Sequence, residues 1–501
     1  MQKILVLVCI ILMHLGARVY AGWAEQTLKD LTLQEKIGQL FVIPASPSYE
    51  MGALLEVLKN YHVGAILIKQ AHPLQQISFL NQLQSHAILP LLCAGDAEWG
   101  LGMRMEDTLS FPKNLTLGAI QDDTLIYELG KTIGKQCKLV GIHLNFAPVV
   151  DVNINPNNPI IGMRSFGDNP ANVGNRGALM VQGMQDAGIL ACAKHFPGHG
   201  DVHIDSHRAL PIIYHSLKHL ERVELMPFFT AIAVGVNAIM SAHILFPNLD
   251  PIYPASLSHK IMTTILKKRL KFTGLLISDA LNMQALSNKY SIEEIVTQAF
   301  IAGHDLLTFG AHRYDDLENI LQKTLPIAFS AIERGVITGY LSEKELDAHV
   351  LKVLSAKEKL GLHKNRFLPL PHNLMEQLHS IEGIELQRIL YRKAITVVHP
   401  MLIPTPSPGY MRLWENQPLP KAETIVVAIN HANQIPRLQN ICANHPKVIV
   451  ALFASPYLLK DIPNVTTVIG YELCEASEQA VWDVITGKEK GGGKLPITPP
   501  K

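Results

Sequence analysis

The sequence predicts an α/β protein: a (β/α)8, TIM-like barrel followed by a smaller α/β sandwich-type C-terminal domain. Three observations carry this. Eight short apolar runs, bounded by polar or glycine turns, recur along the first two-thirds of the 501 residues. Amphipathic helical patterns lie between them, the alternation expected of a parallel sheet wrapped by helices. Unusual polar residues follow several of the runs, and the carboxyl ends of barrel strands are where such folds carry their active sites.

The elements follow in order. Residues 1–21 read as a secretory signal peptide: Lys3, an apolar run over 4–12, then Val19-Tyr20-Ala21 with small residues at the cleavage positions. That run is too short for a membrane span of about 20 residues, so an exported chain, periplasmic or extracellular, is expected, with no stable span after cleavage. The barrel occupies 22–362, its runs at 39–43, 65–68, 88–93, 143–150, 189–193, 237–241, 274–278 and 305–309. Continuous apolar runs suit strands buried on both faces. Helices are expected at 122–139, 172–187, 217–234, 258–270 and 343–360. Residues 363–390 form a linker and helix, the helix reaching about residue 392, with Pro369 and Pro371 marking the break. The C-terminal domain, 391–501, carries strands at 394–398, 424–429, 447–453 and 465–470.

Composition narrows the function. The chain is 48% hydrophobic and 17% charged, which supplies a large core and excludes disorder. A net charge of +1 with no basic stretch argues against nucleic-acid binding. Cys9 leaves with the leader; Cys93, Cys137, Cys192, Cys442 and Cys474 are scattered, without metal-pair or disulfide spacing, and Cys93 and Cys192 read as buried thiols. No cofactor is expected.

Polar residues after the runs are Asp96, Asp151, Lys194 with His195, His243 and Asp279. His195, His199, His203 and His207 recur every fourth position, a spacing that would line one face of a helix as metal ligands. Pro197, Gly198 and Gly200 interrupt that helix, so the segment is a loop and no metal site is read there. Within it, Asp205 stands two residues before His207. A carboxylate so placed can fix an imidazole tautomer and favour its protonated form, giving a proton donor and acceptor, or it can cap the next segment. Asp279, at a strand end, is a nucleophile or a structural acceptor.

With these residues in view, the chain resembles glycoside hydrolase family 3, and within it the bacterial β-N-acetylhexosaminidase (β-N-acetylglucosaminidase) subgroup. The resemblance covers most of 27–500. Its most specific part is Lys194-His195-Phe196-Pro197-Gly198-His199-Gly200-Asp201 with Asp205-Ser206-His207. Supporting matches are Asn145-Phe146-Ala147-Pro148-Val149-Val150-Asp151, Arg164-Ser165-Phe166-Gly167, Ser241-Ala242-His243, Ser278-Asp279-Ala280-Leu281-Asn282-Met283 and the closing Gly493-Lys494-Leu495-Pro496. The resemblance implies a retaining, exo-acting enzyme that removes terminal β-linked N-acetylglucosamine. It implies Asp279 as the nucleophile of a covalent glycosyl-enzyme and His207 with Asp205 as the acid/base. Asp96, Arg164, Lys194 and His195 match residues that grip sugar hydroxyls. Met283 lies near that pocket, with Asp151 and His243 as site-wall residues. Arg164 can hold Asp279 or a neighbouring acid ionised, or bond a sugar oxygen.

Two departures stand out. The segment usually reading Gln-Glu-Gly-Gly-Arg after its acid here runs Asp96-Ala97-Glu98-Trp99-Gly100-Leu101-Gly102-Met103-Arg104, without the arginine directly after the glycines. Trp99 packs or walls the pocket. The C-terminal domain is short, and the expectation is a scaffold that no longer reaches the active site. Export suggests a small saccharide substrate, a muropeptide from peptidoglycan or, second, a chitooligosaccharide. The alternatives are a β-glucosidase or β-xylosidase of the same family, a phosphorolytic N-acetylglucosaminidase, a non-catalytic sugar-binding protein and a metal hydrolase.

Overall fold

A computed structural model describes residues 22–498 except 312, 313, 402, 404, 406 and 416. The leader reading over 1–21 lies outside the described residues. Eight parallel strands form the first sheet: β1 Phe41–Ala45, β2 Ala65–Ile68, β3 Leu92–Gly95, β4 Leu144–Asn145, β5 Leu190–Phe196, β6 Ala238–Ser241, β7 Leu275–Ser278 and β8 Leu307–Thr308. They run in the order β7-β6-β5-β4-β3-β2-β1-β8. A parallel bridge between Ile277 and Leu306 joins the two ends into a barrel.

Both faces of these strands are buried, and the pleat divides them. Val42, Ala65, Leu67, Leu92, Ala94, Leu144, Leu190, Cys192, Ala238, Met240, Leu275 and Ile277 fill the interior. Their neighbours Ile43, Ile66, Ile68, Cys93, Ile239 and Leu276 pack outward against the helices. Val353 and Leu362 join the interior cluster from the far end, so the chain leaving the barrel closes its floor. Cys93 and Cys192 are buried free thiols.

The second sheet is β9 Thr396–Val398, β10 Gly409–Arg412, β11 Ile425–Ile429, β12 Val448–Leu452 and β13 Thr466–Ile469, ordered β10-β11-β12-β13-β9 with only β9 antiparallel. Helices Ile435–Asn444 and Glu475–Ile485 belong to this unit.

Three local expectations need correction. The helix expected at 217–234 is two, Leu217–Arg222 and Leu225–Ala233, broken at Val223 (φ −118°, ψ −78°). The helix expected to reach about residue 392 is also two, Leu374–Leu378 and Ile381–Ala394, because the Ser380 hydroxyl accepts from the Gly383 amide and starts a fresh helix. Strand β10 was not anticipated: Gly409-Tyr410-Met411-Arg412 alternates weakly and follows a proline-rich stretch. In addition, Lys260–Arg269 winds as a π-helix.

The two units interlock. The Glu472 carboxylate accepts from the Lys113 amide (2.8 Å) and the Thr116 hydroxyl (2.6 Å). The Tyr457 hydroxyl donates to the Asn153 carbonyl (2.9 Å). Gly167 (φ +137°) lies so close to Pro496 that an added Cβ would stand 2.0 Å from its carbonyl oxygen. Two sequence motifs more than 300 residues apart, Arg164-Ser165-Phe166-Gly167 and Gly493-Lys494-Leu495-Pro496, therefore form one joint.

Candidate active site

Strand alternation builds the site. On β2, β3, β5 and β7 the inward positions continue two residues beyond the last apolar one: Leu67 to Lys69, Ala94 to Asp96, Cys192 to Lys194, Ile277 to Asp279. All four charged residues line one cavity of about 310 Å³ at the carboxyl end of the barrel. That is the lower end of the roughly 300–1,000 Å³ usual for small-molecule sites. Glu98, Arg164, His195, His207 and Met283 also line it. Among the described residues every lining side chain lies between Leu67 and Gly310, so the C-terminal unit stays out of the cavity as expected.

One wall is a buried charge network. The Arg164 guanidinium donates twice to Glu98, Nε to Oε2 at 2.9 Å and Nη2 to Oε1 at 2.7 Å. Lys194 Nζ bridges Glu98 Oε1 (2.8 Å) and Asp96 Oδ1 (3.1 Å). Burial alone would push both carboxyls up. Arg164 and Lys194 override it at Glu98, which falls to about 2, while Lys194 and Arg104 hold Asp96 well below the carboxylate range. Lys194 stays charged: burial opposes this, and Glu98 and Asp96 outweigh it. Arg164 therefore serves first to hold a neighbouring acid, Glu98, one of the two roles left open by the sequence. Arg104, later in the same segment, donates from Nη2 to Asp96 Oδ2 at 3.0 Å. Trp99 lines the cavity, with Lys113 over its ring at 5.2 Å.

His195 is fixed from behind. Asp151, fully buried, accepts from the His195 ring (Nδ1, 2.7 Å) and from the amides of His195 (3.2 Å) and His199 (2.7 Å). This leaves His195 Nε2 toward the cavity, 3.5 Å from Arg164 Nη2. Asp151 is thus a support behind the wall, a correction to its expected place in it. His243 needs the same correction. It follows Ser241, whose side chain bonds His304 away from the barrel interior, and its own ring is closed off between the Ser256 hydroxyl (2.7 Å) and the Ala280 carbonyl (3.0 Å). Burial depresses the His243 pKa.

Asp279 Oδ1 accepts from the Ala280 amide at 2.7 Å. Burial works against its charge, but His243, His195, that amide and Lys194 together lower its pKa, so the carboxylate is ionised. The segment after β5 is irregular, as its proline and glycines dictate. It carries His207, whose Nδ1 meets Asp205 Oδ1 at 2.8 Å; the same oxygen accepts from the His207 amide at 2.8 Å. Asp205 is lowered: slight burial raises it, and the His207 amide and ring more than compensate. His207 and Asp279 line the same cavity.

The four evenly spaced histidines face four different partners: His195 faces Asp151, His199 faces the Ser206 hydroxyl (3.0 Å), His203 faces Asn155 (3.1 Å) and His207 faces Asp205. They do not converge. His199, unassigned from sequence, is pushed down to about 4 by burial, stays neutral and holds Ser206 between Asp205 and His207. Glu98 and Lys69 were not singled out as site residues. Lys69 was readable from the alternation on β2; Glu98 sits in a turn, and only its two cationic partners reveal it.

The Glycosyl hydrolase family 3 N terminal domain matches residues 32–356. The chain belongs to glycosyl hydrolase family 3. Beta-hexosaminidase A of Pseudoalteromonas piscicida is 36% identical over 334 residues, 61% of this chain and 55% of that protein. Beta-hexosaminidase LpqI of Mycobacterium tuberculosis is 30% identical over 337 residues, 65% of this chain and 83% of the relative. The family 3 β-N-acetylglucosaminidase structure from Paenibacillus sp. str. FPU-7 superposes with a TM-score of 0.79 at 30% identity, covering 93% of this chain and 99% of that one. The matches span only 55% of the Pseudoalteromonas protein and 61% of the Cellulomonas fimi beta-N-acetylglucosaminidase/beta-glucosidase.

Proposed function

We propose that this family 3 chain is a retaining, exo-acting β-N-acetylhexosaminidase that removes terminal, non-reducing β-linked N-acetylglucosamine. The observation that carries the reading is the pairing of His207 with Asp205 on the rim of the cavity that also holds an ionised Asp279. The names of the Pseudoalteromonas, Mycobacterium and Paenibacillus relatives support the substrate.

The chemistry follows from the atoms. With Oδ1 of Asp279 engaged by the Ala280 amide, Oδ2 attacks the anomeric carbon. His207, protonated on both nitrogens and steadied by Asp205, gives its Nε2 proton to the leaving oxygen as the glycosidic bond breaks. The product is a glycosyl ester of Asp279. Neutral His207 then takes a proton from water, whose oxygen attacks the same carbon. The ester breaks, the Asp279 carboxylate returns, and two inversions give net retention. Asp96, Arg164, Lys194 and His195 bond the sugar oxygens, and Met283 packs against the ring.

The proposal includes export to the periplasm or beyond and action on peptidoglycan fragments, with chitooligosaccharides second; the leader-like residues 1–21 support it. Aryl β-N-acetylglucosaminide and aryl β-glucoside, assayed with Asp279→Ala and His207→Ala alongside, test the activity. Cleavage of the glucoside alone overturns the substrate. Adding phosphate and finding a sugar 1-phosphate would move the reading to phosphorolysis.

A further inference from the structure

Behind the loop that bears His207 lies a second cluster of polar side chains. His215 follows the loop, His219 is on the short helix Leu217–Arg222, and Glu224 sits in the turn leading to Leu225–Ala233. One donor atom from each of the three lies within 4.8 Å of the others. The Glu224 side chain is only 1% exposed, and among the described residues neither of its oxygens receives a hydrogen bond. His219 Nε2 also lacks a hydrogen-bond partner. The two imidazoles stack, centroids 3.9 Å apart.

The distances separate two explanations. Glu224 Oε1 lies 3.6 Å from His215 Nε2 and 3.5 Å from His219 Nε2, too far for hydrogen bonds to either ring. Donors placed about 2.0–2.2 Å from an ion with tetrahedral angles stand roughly 3.3–3.6 Å apart. The observed spacings match those edges. A buried carboxylate with no donor is costly unless something charged occupies its site.

We propose that His215, His219 and Glu224 bind a divalent transition-metal cation of the zinc class, two imidazoles and a carboxylate being a donor set that suits it. His215 Nε2 meets Asp201 Oδ2 at 2.8 Å, a hydrogen bond that cation binding would replace. The consequence is mechanical. Asp201 and His215 bracket the stretch that carries Asp205, Ser206 and His207. Glu224 presses on the start of the same loop, since a Cβ added at Gly198 would lie 2.6 Å from Glu224 Cβ. By holding His215 to Glu224, which packs on Gly198, one ion would brace both ends of the loop without touching the reacting atoms.

Zinc titration of the full chain, stripped with chelator and followed by calorimetry, tests this. The expected result is one equivalent bound, a raised thermal midpoint, and at least 30-fold weaker binding in both His219→Ala and Glu224→Gln. His207→Ala should bind zinc as wild type does, separating this site from the proposed acid/base. X-ray absorption on the zinc-loaded protein should show two imidazole ligands. No stoichiometric uptake, or uptake undiminished in both variants, overturns the proposal. Because binding is read directly, its failure leaves the hexosaminidase reading intact, and the converse holds.

Discussion

The two walls of the cavity solve opposite problems. In the Asp96, Glu98, Arg164 and Lys194 wall, Glu98 and Lys194 are buried and Asp96 and Arg164 half-buried, and each charge is held by at least one opposite charge. The His207 and Asp205 wall is open, with the His207 side chain 44% exposed and the Asp205 carboxylate against its ring. A group that must grip the same hydroxyls in every turnover gains from rigidity. A group that must exchange protons with a leaving oxygen and then with water needs access to solvent. The difference teaches which residues tolerate change in position and which do not.

The sharpest way to break this contrast lies at the floor between the walls. Asp279→Ala should lower kcat by about 10⁴-fold or more, as expected when a covalent nucleophile is lost. Wild-type rates in that variant would end the double-displacement reading. On the open wall, His207→Ala should cost about 10²–10⁴-fold in kcat where the leaving group needs a proton. The loss should shrink on aryl substrates with good leaving groups, and KM should change little. Equal losses on both kinds of substrate would make His207 a binding residue instead.

How much of this was legible beforehand follows the same division. The barrel strands could be read because burial on both faces writes them as continuous apolar runs, and β2 falls at residues 65–68 as expected. Asp96, Lys194 and Asp279 were readable as polar residues ending such runs. Asp151 and His243 were misplaced by the same rule, because it does not say which way a side chain points. For His243 the answer lay in the pleat: Met240 points inward, and Ser241 points away from the interior. Glu98 carries no such signal, since its meaning depends on Arg164, which arrives from another part of the chain. The His215, His219 and Glu224 cluster left only the four-residue spacing of its two histidines in the sequence, because a broken helix brings Glu224 to them.

The paired wall can be tested by acid. Glu98→Gln leaves Arg164 and Lys194 short of a charge and should lower stability by about 3–5 kcal/mol, the range for breaking a buried pair. The folded-state pKa of Glu98 lies near 2, below its ordinary 4.5. Its ionic contribution is therefore complete above about pH 4.5 and fades as pH falls toward 2. The stability gap between wild type and Glu98→Gln, measured from denaturant midpoints, should be constant from pH 7 to 5 and close below 4. A gap unchanged down to pH 3 would show that Glu98 contributes by shape, not charge.

The smallest effect belongs to the joint between the units, and it asks whether the C-terminal domain only braces the barrel. Tyr457→Phe removes the hydroxyl that donates to the Asn153 backbone carbonyl at 2.9 Å and accepts from Asn153 Nδ2 at 3.1 Å. The expected loss is about 1 kcal/mol of stability. Asn153 is a neighbour of Asp151, and Val152 between them packs against Gly200, where an added Cβ would stand 1.7 Å from the Val152 carbonyl oxygen. The joint thus reaches the start of the His207 loop through backbone alone. If the domain is a brace, kcat on substrates that need the His207 proton stays within about twofold of wild type while the thermal midpoint drops. If kcat falls selectively on those substrates, the domain positions the open wall from a distance, and the contrast between a rigid grip and a freely exposed proton carrier must give way to one in which both walls are held.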